Sequence, residues 1–252
     1  MTDTKSIFFI LAMGRSGTKF LSNLLNNSSD AYVLHEPVRE DFQAYIQAFN
    51  YPHTQYEYVK EYRGPVIRNS VKTVKSAHYG EVNSVLRRHI HALKDEFSEA
   101  TFIHLVRDGR DVVRSMLARK AMTPTDKVTS NIFPHYGDPS FLKWQDYDRF
   151  EKLTWYWNTE NEYLNQHIDH TICFERLISE YDYFCNKLTN LLKINISYEI
   201  WKKHINRPLN KSNEYPLSHW TEWDETMTDK FWNICYDQMN IYGYKASASP
   251  LN

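Results

Sequence analysis

The chain is 252 residues long and carries 30 Lys and Arg residues against 31 Asp and Glu, for a formal net charge of −1. This length suffices for one full hydrophobic core, so a single domain over residues 1–252 is expected. The charge balance gives no support to a broad nucleic-acid-binding surface. The apolar run Ile7–Met13 is too short for a membrane span, so none is expected.

Three cysteines, Cys173, Cys185 and Cys235, are odd in number and widely spaced along the chain. They match neither a disulfide framework nor a zinc-binding pattern, and no metal site is expected. Unpaired cysteines fit a reducing compartment, and no signal-peptide pattern surrounds the first apolar run. We therefore expect a cytoplasmic protein.

Apolar runs and amphipathic segments alternate along the chain. Strands are predicted at Ile7–Leu11, Ala31–Leu34, around Val66–Arg68, and at Thr101–Val106 and Thr171–Phe174. Helices are predicted at Thr18–Asn26, Arg39–Phe49, Glu81–Phe97, Arg110–Lys120, Tyr147–Gln166, Tyr181–Leu192, Tyr198–His204 and Thr228–Tyr242. This alternation indicates an α/β fold with a parallel sheet, in which ligands bind beyond the carboxyl ends of the strands.

The segment Ile7–Leu25 reads IFFILAMGRSGTKFLSNLL and predicts a strand, a glycine-containing loop and a helix. This arrangement directs backbone N–H groups and the positive end of a helix dipole at an anion. A nucleoside triphosphate loop has the pattern G-x-x-x-x-G-K-[ST], whereas Gly17 is followed here by TKF. The lysine after the last glycine and the hydroxyl that would hold Mg²⁺ are both missing. Arg15 supplies a permanent charge instead, so the loop favours an anionic donor that needs no metal bridge.

A second candidate anion site follows the predicted strand at Thr101, in the sequence RDGRDVVRS. Arg107 ends the strand, and Ser115 lies on the next helix, on the face that can look back toward Arg107. One guanidinium and one hydroxyl suit a second phosphate group. The alternative is structural: a salt-bridge network that caps the helix, formed by Asp108, Arg110 and Asp111.

Together the two motifs resemble those of sulfotransferases that use 3′-phosphoadenosine 5′-phosphosulfate (PAPS). GRSGTKFL is similar to the 5′-phosphosulfate loop of carbohydrate-type and many bacterial members, and LVRDGRDVVRS resembles the 3′-phosphate motif, with Gly109 where proline is common. A weaker match, ICFERL, resembles the family's YEDL segment, with Phe174 for Tyr and Arg176 for Asp. The resemblance covers about residues 6–192. It implies a single-domain, P-loop-like three-layer α/β fold with a central parallel sheet flanked by helices.

The resemblance assigns the first motif to the 5′-phosphosulfate. Arg15 would neutralise this group, and Phe20 matches a position near the adenine, although ordinary helix packing explains Phe20 equally well. The other residues implied to cradle the 5′-phosphosulfate are Gly14, Ser16, Gly17, Thr18 and Lys19.

The resemblance assigns the second motif to the 3′-phosphate, which Arg107 and Ser115 would bind. This contact would distinguish PAPS from ATP and ADP, because ATP and ADP carry no 3′-phosphate. Near the carboxyl terminus, Lys211 or Ser212 would close over the same phosphate.

Sulfuryl transfer resembles phosphoryl transfer in its loose, in-line transition state, so positioning and charge neutralisation dominate catalysis. Arg15 is the predicted group for neutralising developing charge. The acceptor hydroxyl must lose its proton, and Glu36 is the predicted general base, because it follows the second strand beside the loop. The sequence His35-Glu36-Pro37 also resembles the Glu-Pro segment of carbohydrate-type sulfotransferases.

Other interpretations of these positions stay open. Pro37 biases Glu36 toward an extended conformation. Instead of acting as a base, Glu36 could be a structural, hydrogen-bonded turn residue. His35 and His78 are rival bases, since imidazole titrates near neutrality. Lys75 aligns loosely with a family lysine near the acceptor, where it would steady the transferring group.

A basic run between residues 60 and 91 is either a solvated face or a wall of the anion site. Its members are Lys60, Arg63, Arg68, Lys72, Lys75, Arg87 and Arg88.

The predicted function is transfer of a sulfuryl group from PAPS to an acceptor hydroxyl, on a saccharide or glycolipid, by in-line displacement. A metal-dependent P-loop kinase and a catalytically inactive nucleotide-binding module are the alternatives. Segments 43–79 and 121–143 are predicted to shape the acceptor pocket. Aromatic residues there that suit stacking on sugar rings, or simple packing, are Tyr51, Tyr56, Tyr58, Tyr62, Tyr136 and Trp144.

Overall fold

A computed structural model describes residues 5–207 and 215–246. Across these ranges, five parallel strands form one sheet in the order β2-β3-β1-β4-β5. The strands are β1 (Ser6–Ala12), β2 (Ala31–His35), β3 (His78–Asn83), β4 (Thr101–Val106) and β5 (His170–Cys173). The predicted α/β class with a central parallel sheet is confirmed.

Helices flank the sheet and connect its strands. They are α1 (Thr18–Leu25), α2 (Asp41–Asn50), α3 (Thr54–Glu57), α4 (Gly64–Thr73), α5 (Ile90–Glu96), α6 (Gly109–Leu117), α7 (Arg149–His167), α8 (Phe174–Ser179), α9 (Tyr181–Phe184), α10 (Asn190–Leu192), α11 (Tyr198–Ile205) and α12 (Glu225–Ile241). A π-helical turn, Tyr58–Arg63, joins α3 to α4, and another, Cys185–Thr189, joins α9 to α10. Along the part of the chain described, no helix is long and apolar enough to cross a membrane.

The chain divides into two compact units. The first consists of Met1–Val106 with Leu164–Asn210 and holds the whole sheet. The second consists of Arg107–Tyr163 with Lys211–Asn252 and holds α6 and α12.

In the first unit, β1 is buried on both faces. Phe8, Ile10 and Ala12 alternate along one face and belong to the main apolar cluster. On the other face, the Phe9 ring stacks on that of Phe102, with centroids 5.3 Å apart. Burial on both faces explains why this strand is a continuous apolar run in the sequence.

Two predictions in the basic region are wrong. The residues around Val66 lie in α4, which has a proline in its first turn, a favoured position. The helix predicted at Glu81–Phe97 begins only at Ile90, and its first three residues are instead the end of β3, whose sequence HYGEVN has little strand character. Gly80 is required in β3 because an added Cβ would overlap the ring of Phe8 on the neighbouring strand.

Glu81 is tolerated in the interior of the sheet because it is paired with a buried arginine. Arg63 is fully buried, and its Nη2 donates to Glu81 Oε2 at 2.6 Å while its Nε donates to Asp41 Oδ1 at 2.8 Å. Tyr79 Oη donates to Glu81 Oε1 at 2.7 Å. Ion pairs of this kind satisfy charges that would otherwise be strongly destabilising in the core.

The basic run is therefore not one solvated face. Arg63 and Arg87 are both buried, and the Arg87 guanidinium lies 3.9 Å above the ring of Tyr45. Arg68 forms an ion pair with Glu96. The buried arginines stabilise the first unit from within.

Replacing Arg63 by methionine should strongly destabilise the protein. The variant Arg63→Met leaves the buried carboxylates of Asp41 and Glu81 without their cation, and we expect a loss of about 3–5 kcal/mol in unfolding free energy. Urea denaturation at pH 7 measures it. Lys60→Met is the control, because Lys60 belongs to the same basic run but is exposed, and it should unfold like the wild type. A change below about 1 kcal/mol in Arg63→Met would contradict this account.

Stability should also fall as the pH is lowered, because of His89. This residue is fully buried, and burial followed by the charge of Arg63 lowers its pKa from 6.5 to about 3. Below pH 6.5 the unfolded chain binds a proton at His89 that the folded chain does not bind, so the folded state loses stability across this window. Melting temperatures between pH 7 and pH 4 should therefore fall less steeply in His89→Leu. Parallel curves for the two proteins would show that His89 does not contribute.

Candidate active site

The loop after β1 has the backbone of an anion-binding site. Arg15 and Gly17 both adopt left-handed conformations, with φ of 74° and 93°. Gly17 is the N-cap of α1 and provides no side-chain hydrogen bond to the first turn. The first N–H groups of a helix lack partners within the helix, and a concave run of N–H groups attracts anions. The predicted strand, loop and helix are confirmed.

Ser16 adds a hydroxyl to this loop. It is fully buried, and its Oγ has no hydrogen-bond partner among the residues described. Its N–H, which is expected from the sequence to face the anion, instead donates to Met13 O at 3.3 Å. An unsatisfied buried hydroxyl costs about 1–3 kcal/mol, which an oxygen-rich anion in the loop would offset.

An aromatic group lies against the loop. A Cβ added at Gly17 would overlap the ring of Phe174, the first residue of α8, so both this contact and the positive φ require glycine. The Phe174 ring meets that of Phe20 edge-on at 5.7 Å, and Phe20 in turn lies 4.9 Å from the ring of His204. Phe20 packs against the main apolar cluster, as its helix-packing interpretation predicts.

His35 ties the end of β2 to α1. Its Nε2 forms a hydrogen bond of 3.0 Å with Thr18 Oγ1. Burial lowers the pKa of His35, the Glu36 carboxylate opposes this shift, and Lys19 adds to it. His35 is therefore a neutral ring at pH 7, held beside the loop.

Glu36 lies beside the same loop. Its φ is 45°, so the extended conformation predicted from Pro37 is wrong, and Glu36 is left-handed and strained. Ser84, which follows β3, donates to Glu36 Oε1 from its backbone N–H at 3.2 Å and from its Oγ. The loop is close, since a Cβ added at Gly14 would lie 3.9 Å from Ser84 Oγ.

The rival base His78 lies at the amino-terminal end of the strands, opposite the end that carries the loop and Glu36. It begins β3, pairs with Ser6 at the start of β1, and bonds the Ser6 hydroxyl. The length of β3 separates His78 from Ser84 by roughly 17 Å or more. His78 is therefore wrong as a candidate base. The exposed Lys75 is three residues earlier and precedes the same amino-terminal end of β3.

Ser84 is the site residue that sequence reasoning missed. It lies within the segment predicted as a helix, Glu81–Phe97, and no motif marks it. The signal that finds it is structural: β3 lies between β1 and β2, so the residue after its carboxyl end falls beside both the loop and Glu36.

In the second unit, the residues after β4 combine helix capping with an arginine that pairs with its own helix. Asp108 caps α6 by accepting from Arg110 N at 2.9 Å, and it also pairs with the Arg110 guanidinium at 2.6 Å, as the structural alternative predicts. Arg107 Nη2 lies 3.2 Å from Asp111 Oδ2, and its side chain is 28% exposed. Ser115 is buried on the same helix, at an i, i+4 spacing from Asp111.

Gly109 replaces the common proline of the motif for a packing reason. A Cβ added there would lie 2.9 Å from Cδ2 of Trp157 and 3.0 Å from Cζ of Phe231. Trp157 Nε1 also donates to Arg107 O at 3.2 Å, so the indole fixes the start of this motif. Lys211 and Ser212, predicted near the same phosphate, lie outside the described residues.

The aromatic residues suggested for acceptor stacking differ in exposure. Tyr58 donates its hydroxyl to Asp41 at 2.7 Å, and Trp144 packs against Trp155 at 4.9 Å, so both have structural contacts. Those with large exposed surfaces are Tyr51, Tyr56, Tyr62 and Tyr136.

Solved structures show the same fold. A sulfotransferase from Alicyclobacillus acidocaldarius is 13% identical, with a TM-score of 0.51 over 96% of this chain and 97% of that one. The sulfotransferase domain from the curacin biosynthetic pathway is also 13% identical, with a TM-score of 0.53 over 96% and 99%. No curated protein sequence matches the chain.

Family membership comes from the sequence model of the sulfotransferase family, which matches residues 8–198 and so covers most of the chain. The match includes the loop after β1, Glu36, Ser84 and the motif that begins at Arg107. This chain belongs to the sulfotransferase family.

Proposed function

We propose that the chain transfers a sulfuryl group from PAPS to an acceptor hydroxyl, on a saccharide or glycolipid. Family membership supports sulfuryl transfer in general. The observation that carries the choice of donor is the loop after β1. There Arg15 and the buried Ser16, whose hydroxyl has no partner among the described residues, precede α1, and Gly17 at the start of α1 provides no side-chain cap. The loop lacks the Lys-Ser/Thr pair that a Mg²⁺-nucleoside triphosphate requires.

The donor carries two anionic groups, and the chain has two motifs that suit them. Arg15 and the N–H groups of residues 17–19 would hold the 5′-phosphosulfate, the sulfuryl source. Arg107 and Ser115 would hold the 3′-phosphate. In the sheet of the first unit, β1 and β4 are neighbours, with β2, the next strand in sequence after β1, on one side and β5, the next strand after β4, on the other. Parallel α/β sheets bind ligands at such a point.

Glu36 would act as the general base. Its Oε1 is held by Ser84, and its side chain is 30% exposed, so the carboxylate is both oriented and accessible. The proton of the acceptor hydroxyl passes to Glu36 as that oxygen attacks, while Arg15 neutralises charge that develops on the oxygen leaving sulfur. His35 would have a structural role, because its hydrogen bond with Thr18 links the end of β2 to α1.

Exposed tyrosine rings support a saccharide or glycolipid as the acceptor. Tyr51, Tyr56 and Tyr62 lie in one segment of the first unit and present rings to solvent. Tyrosine rings combine an apolar face with a polar hydroxyl, which suits the apolar faces and hydroxyl groups of sugars.

Adenosine 3′,5′-bisphosphate should raise the melting temperature more than ADP does. The 3′-phosphate adds a charge-assisted contact with Arg107, and a ligand that binds only the folded state stabilises it. Thermal denaturation at a matched ligand concentration makes the comparison. Arg107→Ala should lose the difference between the two ligands, while Lys120→Ala, an exposed cation beyond α6, should keep it. Equal shifts in the wild type would overturn the 3′-phosphate assignment.

Glu36→Gln should bind the bisphosphate normally but turn over poorly. Losing a general base lowers kcat by roughly 10²–10⁴-fold, whereas donor binding does not involve the carboxylate. Transfer kinetics and calorimetry separate the two effects, and the exposed Glu40→Gln serves as control. Normal turnover in Glu36→Gln would remove it as the base. A wild type that binds the bisphosphate but transfers to no acceptor would instead favour the inactive module.

A further inference from the structure

We propose that Ser84 is a positioning residue that holds Glu36 in the orientation of a general base; the catalytic part of this inference rests on the function proposed above. Ser84 itself touches no reacting atom in this scheme. Its effect on transfer is exerted through the Glu36 carboxylate.

The contacts of Ser84 select one oxygen of Glu36. Both its N–H and its hydroxyl donate to Oε1. Oε2 accepts no hydrogen bond from any residue that the structure describes. One carboxylate oxygen is thus fixed by two donors, and the other is left to receive the proton of an acceptor hydroxyl.

Ser84 is itself rigidly held. Asn83 Oδ1 accepts from the N–H groups of Val85 and Leu86 at 2.9 and 3.1 Å, which closes a turn around Ser84. The guanidinium of Arg87 donates to Ser84 O, so the serine's backbone is restrained on both sides. This turn is therefore a firm support for a neighbouring side chain.

The turn is also connected to the buried ion pair. Asn83 Nδ2 donates to Glu81 Oε2 at 3.2 Å, the same oxygen that accepts from Arg63. A chain of direct contacts thus runs from Arg63 through Glu81 and Asn83 to the residue that holds Glu36.

Glu36 needs such support because its own backbone does not restrict its carboxylate. It follows the edge strand β2, it is strained at φ 45°, and its side chain is partly exposed. A glutamate side chain has considerable rotamer freedom, and ordering it carries an entropic cost. Two hydrogen bonds from a fixed serine offset this cost before the acceptor arrives.

The kinetic test compares Ser84→Ala with two matched variants. Ser84→Ala should lower kcat about tenfold, with unchanged KM and unchanged affinity for adenosine 3′,5′-bisphosphate, because only the orientation of the base is lost. Ser84→Thr keeps the hydroxyl and should recover turnover. Ser22→Ala removes another buried hydroxyl, which bonds Val33 O instead, and should leave kcat unchanged. In a Glu36→Gln background, Ser84→Ala should have no further effect, since a positioning residue acts only through its partner.

A second readout is independent of turnover: the ¹³C chemical shift of the Glu36 carboxyl carbon, measured by NMR at pH 7. Ser84→Ala removes the hydroxyl that donates to Glu36 Oε1, so this resonance should move, whereas it should stay in place in Ser22→Ala. The charged or titratable groups facing this site are His35, at 3.8 Å from Glu36 Oε1, and Lys19 beside His35. The shift should therefore persist in a His35→Gln background.

The outcomes separate the two proposals. A moved Glu36 resonance in Ser84→Ala with no sulfuryl transfer by the wild type would reject the proposed function but keep Ser84 as the residue that holds Glu36. Transfer by the wild type with an unmoved Glu36 resonance in Ser84→Ala would overturn the role of Ser84 and leave the function standing. An equal loss of kcat from Ser84→Ala in the wild-type and Glu36→Gln backgrounds would also overturn it.

Discussion

The ion pair between Arg63 and Glu81 is the constraint on which the arrangement of the first unit depends. It places a charged glutamate inside a parallel sheet, at a position where both neighbouring strands exclude water. Without Arg63, β3 could not lie between β1 and β2 at an acceptable free energy. With it, the carboxyl end of β3 brings Ser84 beside both the anion-binding loop and Glu36.

Much of the fold could be predicted from apolar patterning. β1, β2 and β4 are largely apolar runs, and α1 and α6, which follow β1 and β4, show clear amphipathic spacing. β3 was not predicted, because its stability comes from residues distant in sequence. The ring of Phe8 fills the space above Gly80, and Arg63 neutralises the charge of Glu81. No local propensity encodes such contacts.

Some features of the site could likewise be predicted from the sequence, and others could not. Its loop carries a motif because backbone conformation demands particular residues: Gly17 is the only residue type compatible with both its φ and the ring of Phe174. Glu36 could be placed from its position after a strand, but its left-handed backbone could not, since Pro37 favours the opposite prediction. Ser84 carries no motif, because a serine after a strand is ordinary until the strand order is known.

The loop and the residues around it share a division of labour that suits a metal-independent transfer. In the proposed function, backbone N–H groups and Arg15 would present positive charge without a metal ion, and the carboxylate of Glu36 follows β2, which β3 separates from β1. On the proposed acceptor side, exposed tyrosines such as Tyr51 and Tyr56 would offer aromatic surface. Donor and acceptor recognition would then depend on different kinds of residue.

The most direct test of the central claim is a transfer assay with ³⁵S-labelled PAPS in the presence of EDTA, against saccharide, glycolipid and phenol acceptors. We expect label on a saccharide or glycolipid hydroxyl at a rate that EDTA does not change. Transfer of the γ-phosphoryl group of ATP that requires Mg²⁺, with no incorporation of ³⁵S into any acceptor, would contradict it.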